Sequence, residues 1–311
     1  MRTAFIRALE EMAEKDDRVM LVVGDLGFGV VENFAKQFPR QYVNAGVAEQ
    51  NMTGLAAGMA LLDKVVFTYS IGNFPTLRCL EQIRNDVCYH KANVKVVAVG
   101  GGFTYGPLGM SHHATEDIAI MRVLPNMTVV APGDPAEAYA ATRAMVSWPG
   151  PCYLRLGRAG EQTVHKTEIN FQIGEAIQIC DGDDLTLIST GGFLISAVNI
   201  ANQLLQHGIT TRILSMHTVK PLDTEAVLKA ARDTHVVATI EEHSILGGLG
   251  GAVAEVLSEF DGQKVRFKRF GVESIFATTA GSQQHLREIF EISDEIISER
   301  LLKWIHHKNH V

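Results

Sequence analysis

The sequence predicts an α/β protein with two consecutive domains, each a mostly parallel sheet flanked by helices. Short runs of β-branched residues alternate with helical patterns along the chain, which is typical of βαβ units and parallel sheets. The chain has 311 residues, 46% of them hydrophobic and 20% charged, and this length suits two domains of about 150 residues each. A polar segment without periodicity separates the two alternating halves and predicts the boundary.

The first predicted domain covers residues 1–165. Its N-terminal stretch, MRTAFIRALEEMAEKDD, has the pattern of a short helix. The predicted strands are short and rich in valine, in chain order VMLVVGD, VVFTYS, VKVVAVGG, TVVAP and the closing PGPCYLRLGR. Longer helical patterns lie between them, near residues 48–62, 75–90 and 135–147.

A linker and a second domain complete the predicted organisation. Residues 166–178 belong to the extended polar segment GEQTVHKTEINFQIGEA, and residues 179–311 form the second domain. Its predicted strands are DLTLISTGG, TTRILSMHTVKP, HVVATIEEH and VRFKRFGV. Helical patterns lie near residues 194–207, 223–232 and 247–260.

Composition argues against several classes of function. The net charge is −7 and no basic block is present, so we expect no nucleic-acid partner. An apolar run of about 18 residues is also missing, so we expect no signal peptide, no membrane span and a cytoplasmic protein. The cysteines lack CxxC spacing, which argues against a zinc site or a disulfide framework; they are Cys79, Cys88, Cys152 and Cys180.

Two glycine-rich segments resemble phosphate-binding loops without matching them. GDLGFGVVEN and GGLGGAVAEV both follow predicted strands. Neither completes the G-x-G-x-x-G pattern, and neither contains G-x-x-x-x-G-K-[ST]. Both are therefore predicted to be tight turns between a strand and a helix, and we predict no metal site in this chain.

Glu49 stands at the start of an apolar helix. In NAGVAEQNMTGLAAGMALL, residues 44–62, apolar side chains cover every helical face after Gln50, so the helix is predicted to be buried. Glu49 falls in the first turn, where unpaired N–H groups and the helix dipole favour an anion. Two interpretations follow: a glutamate that complements the dipole, or a carboxylate placed to move a proton.

Four segments together resemble the transketolase family over essentially the whole chain. More narrowly, the chain is similar to the C-terminal subunit of a two-chain transketolase. The segments are NAGVAEQNMTGLAAGMAL, TYSIGNFPTLRCLEQIRND, GPLGMSHHATEDIAIMRVLPNMTVVAPGD and TIEEHSILGGLGGAVAEVL. The resemblance implies two-carbon ketol transfer between sugars or sugar phosphates with thiamine diphosphate as cofactor.

The resemblance also implies a partner. Thiamine enzymes hold magnesium diphosphate through a GDG pattern followed by an asparagine, and Gly24-Asp25-Leu26 only begins like it. Mg²⁺, or Ca²⁺, would therefore be held mainly by an N-terminal, diphosphate-binding subunit, and an α2β2 assembly is expected.

Cofactor-binding roles follow by position. The family glutamate that hydrogen-bonds N1′ of the aminopyrimidine, and so activates the cofactor, matches Glu49. Phe74 matches the aromatic residue that stacks on the pyrimidine, although an isolated phenylalanine is more often a core residue. Ile71 would line the same pocket. Asp25 matches a family aspartate near the cofactor, and its alternative is a turn or cap residue.

Substrate roles follow in the same way. His112 matches the histidine of the family's Gly-x-Thr-His-Gln segment, which faces the substrate carbonyl, and imidazole changes charge near neutral pH. Arg158 matches an arginine that binds the substrate phosphate, and Arg2 resembles another, although exposed arginines are usually just solvated. His113 stands where glutamine is usual, and its role is open.

Departures from the family pattern put the usual substrates in doubt. Sugar-phosphate transketolases carry a histidine where this sequence has Gly100, and an aspartate where it has Leu108.

Two alternatives to a transketolase subunit are the β subunit of a 2-oxo-acid dehydrogenase, which shares the two-domain layout, and a non-catalytic scaffold partner of a thiamine enzyme. Retention of Glu49, Phe74 and His112 together argues against the scaffold.

Overall fold

The computed structural model describes residues 1–158, 160–262 and 265–306. It confirms the predicted fold class, because two mostly parallel sheets are each flanked by helices. The last five residues of the predicted second domain lie outside the described residues. Within the described ranges, no helix is both long enough and apolar enough to cross a membrane.

Six strands from the first half of the chain form most of the first sheet. They are β1 (Val19–Val23), β2 (Tyr42–Asn44), β3 (Val65–Ile71), β4 (Val94–Val99), β5 (Thr128–Val130) and β6 (Cys152–Leu156). These strands pair in parallel. Their carboxyl ends therefore meet at one edge of the sheet, where α/β folds bind ligands.

A further strand of this sheet comes from the second half of the chain. TTRILSMHTVKP has the pattern of one strand, but the structure divides it into β9 (Thr211–Ser215) and β10 (Thr218–Lys220). β10 pairs antiparallel with β5, which gives the order β10-β5-β6-β4-β3-β1-β2. Between β9 and β10, the carbonyl of buried His217 accepts a hydrogen bond from the Ala131 amide at 2.7 Å. The second half therefore contributes a strand to the first sheet, which joins the two units.

The second sheet is built from β9 and four other strands of the second half. These are β7 (Ile177–Cys180), β8 (Leu185–Ser189), β11 (Val236–Ser244) and β12 (Arg266–Val272). Their order is β12-β11-β8-β9-β7, and the pairs are parallel except β7 with β9, which is antiparallel. Apolar side chains form a core on both faces of each sheet. The predicted domain bounds themselves stay a prediction.

Helices cover both sheets, and most lie where the sequence pattern predicts them. In the first unit they are α1 (Arg2–Ala13), α2 (Glu32–Gln37), α3 (Glu49–Leu61), α4 (Leu80–Gln82), α5 (Asp117–Val123) and α6 (Pro135–Ser147). In the second unit they are α7 (Leu194–Leu205), α8 (Thr224–Asp233), α9 (Leu249–Ser258), α10 (Gln283–Ile289) and α11 (Asp294–His306). The helix predicted at 75–90 is shorter, because α4 passes into a π-helical segment, Ile83–Cys88.

The prediction that α3 is buried on every face is wrong for this chain. One face packs on the first sheet through residues such as Met52 and Ala56, both fully buried. The opposite face is exposed and consists, apart from the polar Asn51, of glycine and leucine: Gly54, Leu55, Gly58, Leu61 and the following Leu62. A sequence pattern shows that a helix is apolar all round, but it does not show what covers each face.

A buried arginine connects the two units. Arg155, near the end of β6, pairs with Asp117 at 2.7 Å and donates to the carbonyl oxygen of Glu242 in β11 at 3.0 Å. The Glu242 carboxylate accepts from the Phe103 amide at 2.6 Å and from Gln283 and Arg287. Arg155, Asp117 and Glu242 are almost fully buried, and each charge has an opposite charge beside it, as burial requires.

The Glu-Glu-His sequence at the end of β11 has structural roles on either side of Glu242. Glu241 accepts hydrogen bonds from the Leu249 and Gly250 amides at the start of α9, both at 2.7 Å. Burial raises its pKa to about 7, although those hydrogen bonds lower it. His243 accepts from the Ala119 amide, and burial lowers its pKa to about 4, so its ring is neutral at neutral pH.

The segment predicted to be extended, residues 160–176, contains no helix or strand and lies against the first unit. The amides of Val164 and His165 donate to Asp134, at 2.8 and 3.0 Å. The His165 ring contacts Glu137 at 2.7 Å. Burial lowers the pKa of His165, but the hydrogen bond and charge of Glu137 outweigh it, so the pKa is raised.

Candidate active site

Glu49 is a buried carboxylate at the carboxyl edge of the first sheet. Gly46, at a φ of +72°, turns the chain after β2, and α3 begins at Glu49 three residues later. The Glu49 side chain is only 2% exposed. Its Oε1 lies 3.3 Å from the Ser70 hydroxyl near the end of β3, and a Cβ at Gly24 would touch its Cγ at 3.5 Å. Backbone and polar groups therefore enclose the carboxylate.

Arg78 provides the countercharge of Glu49. Its Nη1 donates to Glu49 Oε2 at 2.8 Å, and its guanidinium carbon lies 4.8 Å from the centroid of the Phe74 ring. The Arg78 side chain is 48% exposed, so it reaches the buried carboxylate from the solvent side. The sequence pattern alone does not single out Arg78. Its signal in the sequence is a cation four residues after Phe74, near the start of a predicted helix.

Phe74 and His112 lie side by side. β3 ends at the half-buried Ile71, and the turn after it places Phe74 with its ring centroid 5.2 Å from that of His112, edge to face. The Ser111 hydroxyl lies 3.1 Å from Nδ1 of His112. An open cavity of about 530 Å³ borders Phe74, Arg78 and Ser111. The structure therefore brings Glu49, Ile71, Phe74 and His112 to one region.

The two predicted phosphate-binding arginines lie near Tyr105 and Tyr69. The Arg158 guanidinium carbon is 5.7 Å from the centroid of the Tyr105 ring, and that centroid is 6.5 Å from the centroid of the His112 ring. Arg2 lies at the start of α1, close to Tyr69. Burial raises the pKa of Tyr69 far above its ordinary value, although the charge of Arg2 lowers it in part.

Asp25 lies on the rim of this region. It follows Gly24, whose backbone packs against Glu49, and it adopts a φ of +54°, which is unusual for a residue with a side chain. Its Oδ1 accepts a hydrogen bond from Asn44 at 2.9 Å, and the residue is exposed. The contact with Asn44 supports the turn that leads into α3.

Comparison with known proteins assigns the family. The family model of the transketolase pyrimidine-binding domain matches residues 1–160, and that of the transketolase C-terminal domain matches residues 174–297. The chain belongs to the transketolase family. The resemblance inferred from the sequence is thereby confirmed, and membership of this family implies dependence on thiamine diphosphate.

Individual members of the transketolase family are similar over nearly their whole length. A subunit of an apulose-4-phosphate transketolase from Phocaeicola vulgatus is 40% identical over 83% of this chain and 83% of its own. A 6-deoxy-6-sulfo-D-fructose transketolase subunit from Clostridium sp. is 37% identical over 94% of this chain and 90% of its own. A solved structure described as a split gene transketolase, an inactive β4 tetramer, is 36% identical, with a TM-score of 0.87 and coverage of 97% and 96%.

The surroundings of Gly100 disfavour a side chain at this position. Gly100 has a φ of +93°, and a Cβ at this position would overlap the ring of Tyr105. Any side chain at Gly100 would therefore be strained by the backbone and excluded by the tyrosine. Leu108, at the second departure, is 55% exposed in a 3₁₀ turn, Gly106–Leu108. Sequence reasoning also did not single out Tyr105, because its position over Gly100 is set only when the chain folds.

His113 has a structural contact with the same loop. Its side chain is buried, with Nε2 3.3 Å from the Gly106 carbonyl oxygen and the ring edge-to-face on Phe103 at 5.2 Å. Gly106 in turn lies against the second unit, where its carbonyl accepts from the Gly281 amide. His113 therefore links the His112 segment to the turn that carries Tyr105.

We expect Gly100→Ala to lower the free energy of unfolding by more than the same change at a glycine with a similar backbone conformation. Gly208→Ala is the matched control, because Gly208 has a φ of +78° and nothing within 4 Å of its Cβ position. Backbone strain of about 1–3 kcal/mol is common to both, and overlap with Tyr105 adds about 1–3 kcal/mol for Gly100. Urea unfolding measures the difference.

Tyr105→Ala in the Gly100→Ala background tests the cause. Measured against Tyr105→Ala alone, the added Gly100→Ala change should cost only as much as Gly208→Ala costs in the wild type. Equal losses for the two single variants would show that Tyr105 does not restrict position 100.

Proposed function

We propose that this chain is the pyrimidine-binding subunit of a two-chain, thiamine diphosphate-dependent transketolase that transfers a two-carbon ketol unit between sugars or sugar phosphates. The observation that carries the proposal is the position of Glu49, a buried carboxylate 2% exposed and joined through Arg78 to the face of Phe74. The names of the relatives support a transketolase over the β subunit of a 2-oxo-acid dehydrogenase.

The residues fit one end of the cofactor. A flat aromatic face beside a buried carboxylate suits a planar, nitrogen-containing ring with an N–H donor. The planar guanidinium of Arg78 already makes both kinds of contact, since it lies on Phe74 and donates to Glu49. Phe74, Glu49 and Ile71 would hold the aminopyrimidine, with Asp25 at the rim. When bound, thiamine diphosphate supplies the nucleophile that carries the two-carbon unit.

The other end of the cofactor needs a partner. In the part of the chain that the structure describes, no group of three or more histidine, cysteine or acidic residues could hold a metal ion. We therefore assign Mg²⁺, or Ca²⁺, and the diphosphate mainly to an N-terminal subunit.

Each site residue then has a chemical task. Glu49 holds a proton at N1′ of the pyrimidine, and exclusion of water strengthens that hydrogen bond. His112 stands next to Phe74 and exchanges protons with the substrate carbonyl. Arg158 and Arg2 bind a substrate phosphate through their planar guanidinium groups.

The exposed face of α3 supports the need for a partner. Leu61 and Leu62 are 62% and 80% exposed, and nearby Val47 is 76% exposed. Nothing lies within 4 Å of a Cβ at Gly54 or Gly58, so another helix could approach the backbone closely there. The similar split gene transketolase is described as inactive as a β4 tetramer. We propose that an N-terminal subunit covers this face in an α2β2 assembly.

We expect Gly58→Leu to prevent assembly without unfolding the chain. The side chain would enter open space in the isolated subunit, and leucine is about 0.8 kcal/mol better than glycine in a helix. Gly251→Leu in α9, also without neighbours within 4 Å, is the control. Analytical ultracentrifugation with the N-terminal subunit measures complex formation. Normal assembly of the Gly58 variant would exclude this face as the interface.

We expect Glu49→Gln to lower kcat of the reconstituted complex by a factor of about 100 or more, because an amide cannot share the carboxyl proton. Glu81→Gln, at an exposed position in α4, is the control and should keep normal activity. Near-normal turnover of the Glu49 variant would refute its assigned role, and a wild-type complex without any transketolase activity would favour a non-catalytic scaffold.

The substrate is proposed to be a modified sugar. Gly100 and Leu108 remove two polar groups that the family uses, and Tyr105 fills the space above Gly100. A site that lacks a hydrogen-bonding group for a substrate hydroxyl rejects an analogue without that hydroxyl only weakly. Two similar proteins are named for apulose 4-phosphate and for 6-deoxy-6-sulfo-D-fructose, neither of them an ordinary pentose phosphate.

We expect a deoxy, branched or otherwise modified sugar to exceed xylulose 5-phosphate and ribose 5-phosphate in kcat/KM. A panel of donors and acceptors with the reconstituted enzyme measures this preference. Tyr105→Ala should reduce the preference, since the ring then no longer shapes the site. Ordinary pentose phosphates as the best substrates by about tenfold would contradict the inference from Gly100 and Leu108.

A further inference from the structure

Arg78 makes two contacts at once. Its guanidinium donates to Glu49 Oε2 at 2.8 Å, and the same planar group lies 4.8 Å from the centroid of the Phe74 ring. Glu49 Oε1 has a weaker contact, 3.3 Å from the Ser70 hydroxyl. The shorter hydrogen bond of the buried carboxylate therefore goes to Arg78, whose charge offsets the cost of burying an anion.

The position of Arg78 coincides with the one that the proposed function gives to the aminopyrimidine. Stacked aromatic rings have centroids about 4.5–7 Å apart, and the guanidinium carbon already lies within that distance of Phe74. A pyrimidine hydrogen-bonded to Glu49 and stacked on Phe74 would need the same two contacts. Both groups cannot make them together.

The hydrogen bonds of Glu49 also require Arg78 to leave. In its proposed role Glu49 hydrogen-bonds a ring nitrogen of the pyrimidine, but its Oε2 already accepts a hydrogen bond from Arg78 at 2.8 Å, and its Oε1 lies beside Ser70. Release of Arg78 therefore frees the carboxylate oxygen that the activating role needs.

The local structure allows this movement. The Arg78 side chain is 48% exposed, so solvent is open to its guanidinium. The backbone stays anchored, because the Gln50 side chain donates to the Arg78 carbonyl oxygen at 3.1 Å and the Arg78 amide donates to the Asn73 carbonyl oxygen. A change of side-chain rotamer is enough to release Glu49.

We propose that Arg78 and the aminopyrimidine compete for the position between Glu49 and Phe74, so that cofactor binding requires Arg78 to release Glu49. Arg78 is thus a residue that limits cofactor affinity and sets when Glu49 becomes available. This inference rests on the proposed function, because Glu49 and Phe74 must bind the pyrimidine for the competition to exist.

Calorimetry of the reconstituted two-chain complex tests the competition. Thiamine diphosphate is titrated at saturating Mg²⁺ into wild type, Arg78→Met and Arg84→Met. Methionine keeps the apolar length of the side chain and removes the competing cation. Kd should become about fivefold lower for Arg78→Met, since breaking a partly exposed ion pair opposes binding only modestly. Arg84, exposed and bonded only to Asn85 among the described side chains, should leave Kd unchanged.

Arg78→Lys is a second variant that tests the competition even if the methionine variant misfolds. Lysine keeps a cation for Glu49 but lacks the planar fork that lies on Phe74. It should fold like the wild type and lower Kd by a smaller factor. An unchanged or higher Kd for both Arg78 variants would overturn the competition.

Phe74→Ala separates this inference from the proposed function. If the pyrimidine stacks on Phe74, this variant should raise Kd at least about tenfold, which corresponds to a loss of about 1.4 kcal/mol of binding free energy. A raised Kd for Phe74→Ala together with an unchanged Kd for the Arg78 variants would refute the competition alone. An unchanged Kd for Phe74→Ala would refute the assigned pyrimidine position, and the competition with it.

Discussion

The burial of one carboxylate constrains the chain around it. Glu49 loses nearly all contact with water at the start of α3, and an ion moved out of water needs compensating charge and hydrogen bonds. Two segments meet this need: the end of β3 through Ser70 and the turn after β3 through Arg78. The turn after β3 also carries Phe74, so the same constraint brings an aromatic ring to the carboxylate.

The two faces of α3 have different environments, and this connects the site with assembly. The buried face fixes Glu49 against the sheet, whereas the other face presents exposed leucine side chains and glycines with open space at their Cβ positions. A subunit that covers the exposed face would lie close to the cofactor position. In the proposed enzyme, burial of α3 and completion of the site are therefore one event, and Arg78 occupies the pyrimidine position on the solvent side until the cofactor competes for it.

Sequence periodicity predicted most of the fold, and its failures have physical causes. Strands such as β4 and helices such as α6 were predictable because the spacing of apolar residues within one short segment is enough to indicate them. The transfer of β10 to the first sheet was not, since strand pairing is a long-range property. Glu49 and Phe74 were found through motif resemblance, but Arg78 and Tyr105 were missed, because their roles depend on side chains that meet only after folding.

The central claim is that this chain holds the pyrimidine end of the cofactor and requires a partner for the diphosphate and its metal. The most direct measurement is calorimetric titration of thiamine diphosphate with Mg²⁺ into this chain alone, into the N-terminal subunit alone, and into their mixture. We expect tight, magnesium-dependent binding only for the mixture, because the metal and the diphosphate supply much of the binding electrostatics. Micromolar, magnesium-dependent binding by this chain alone would contradict it.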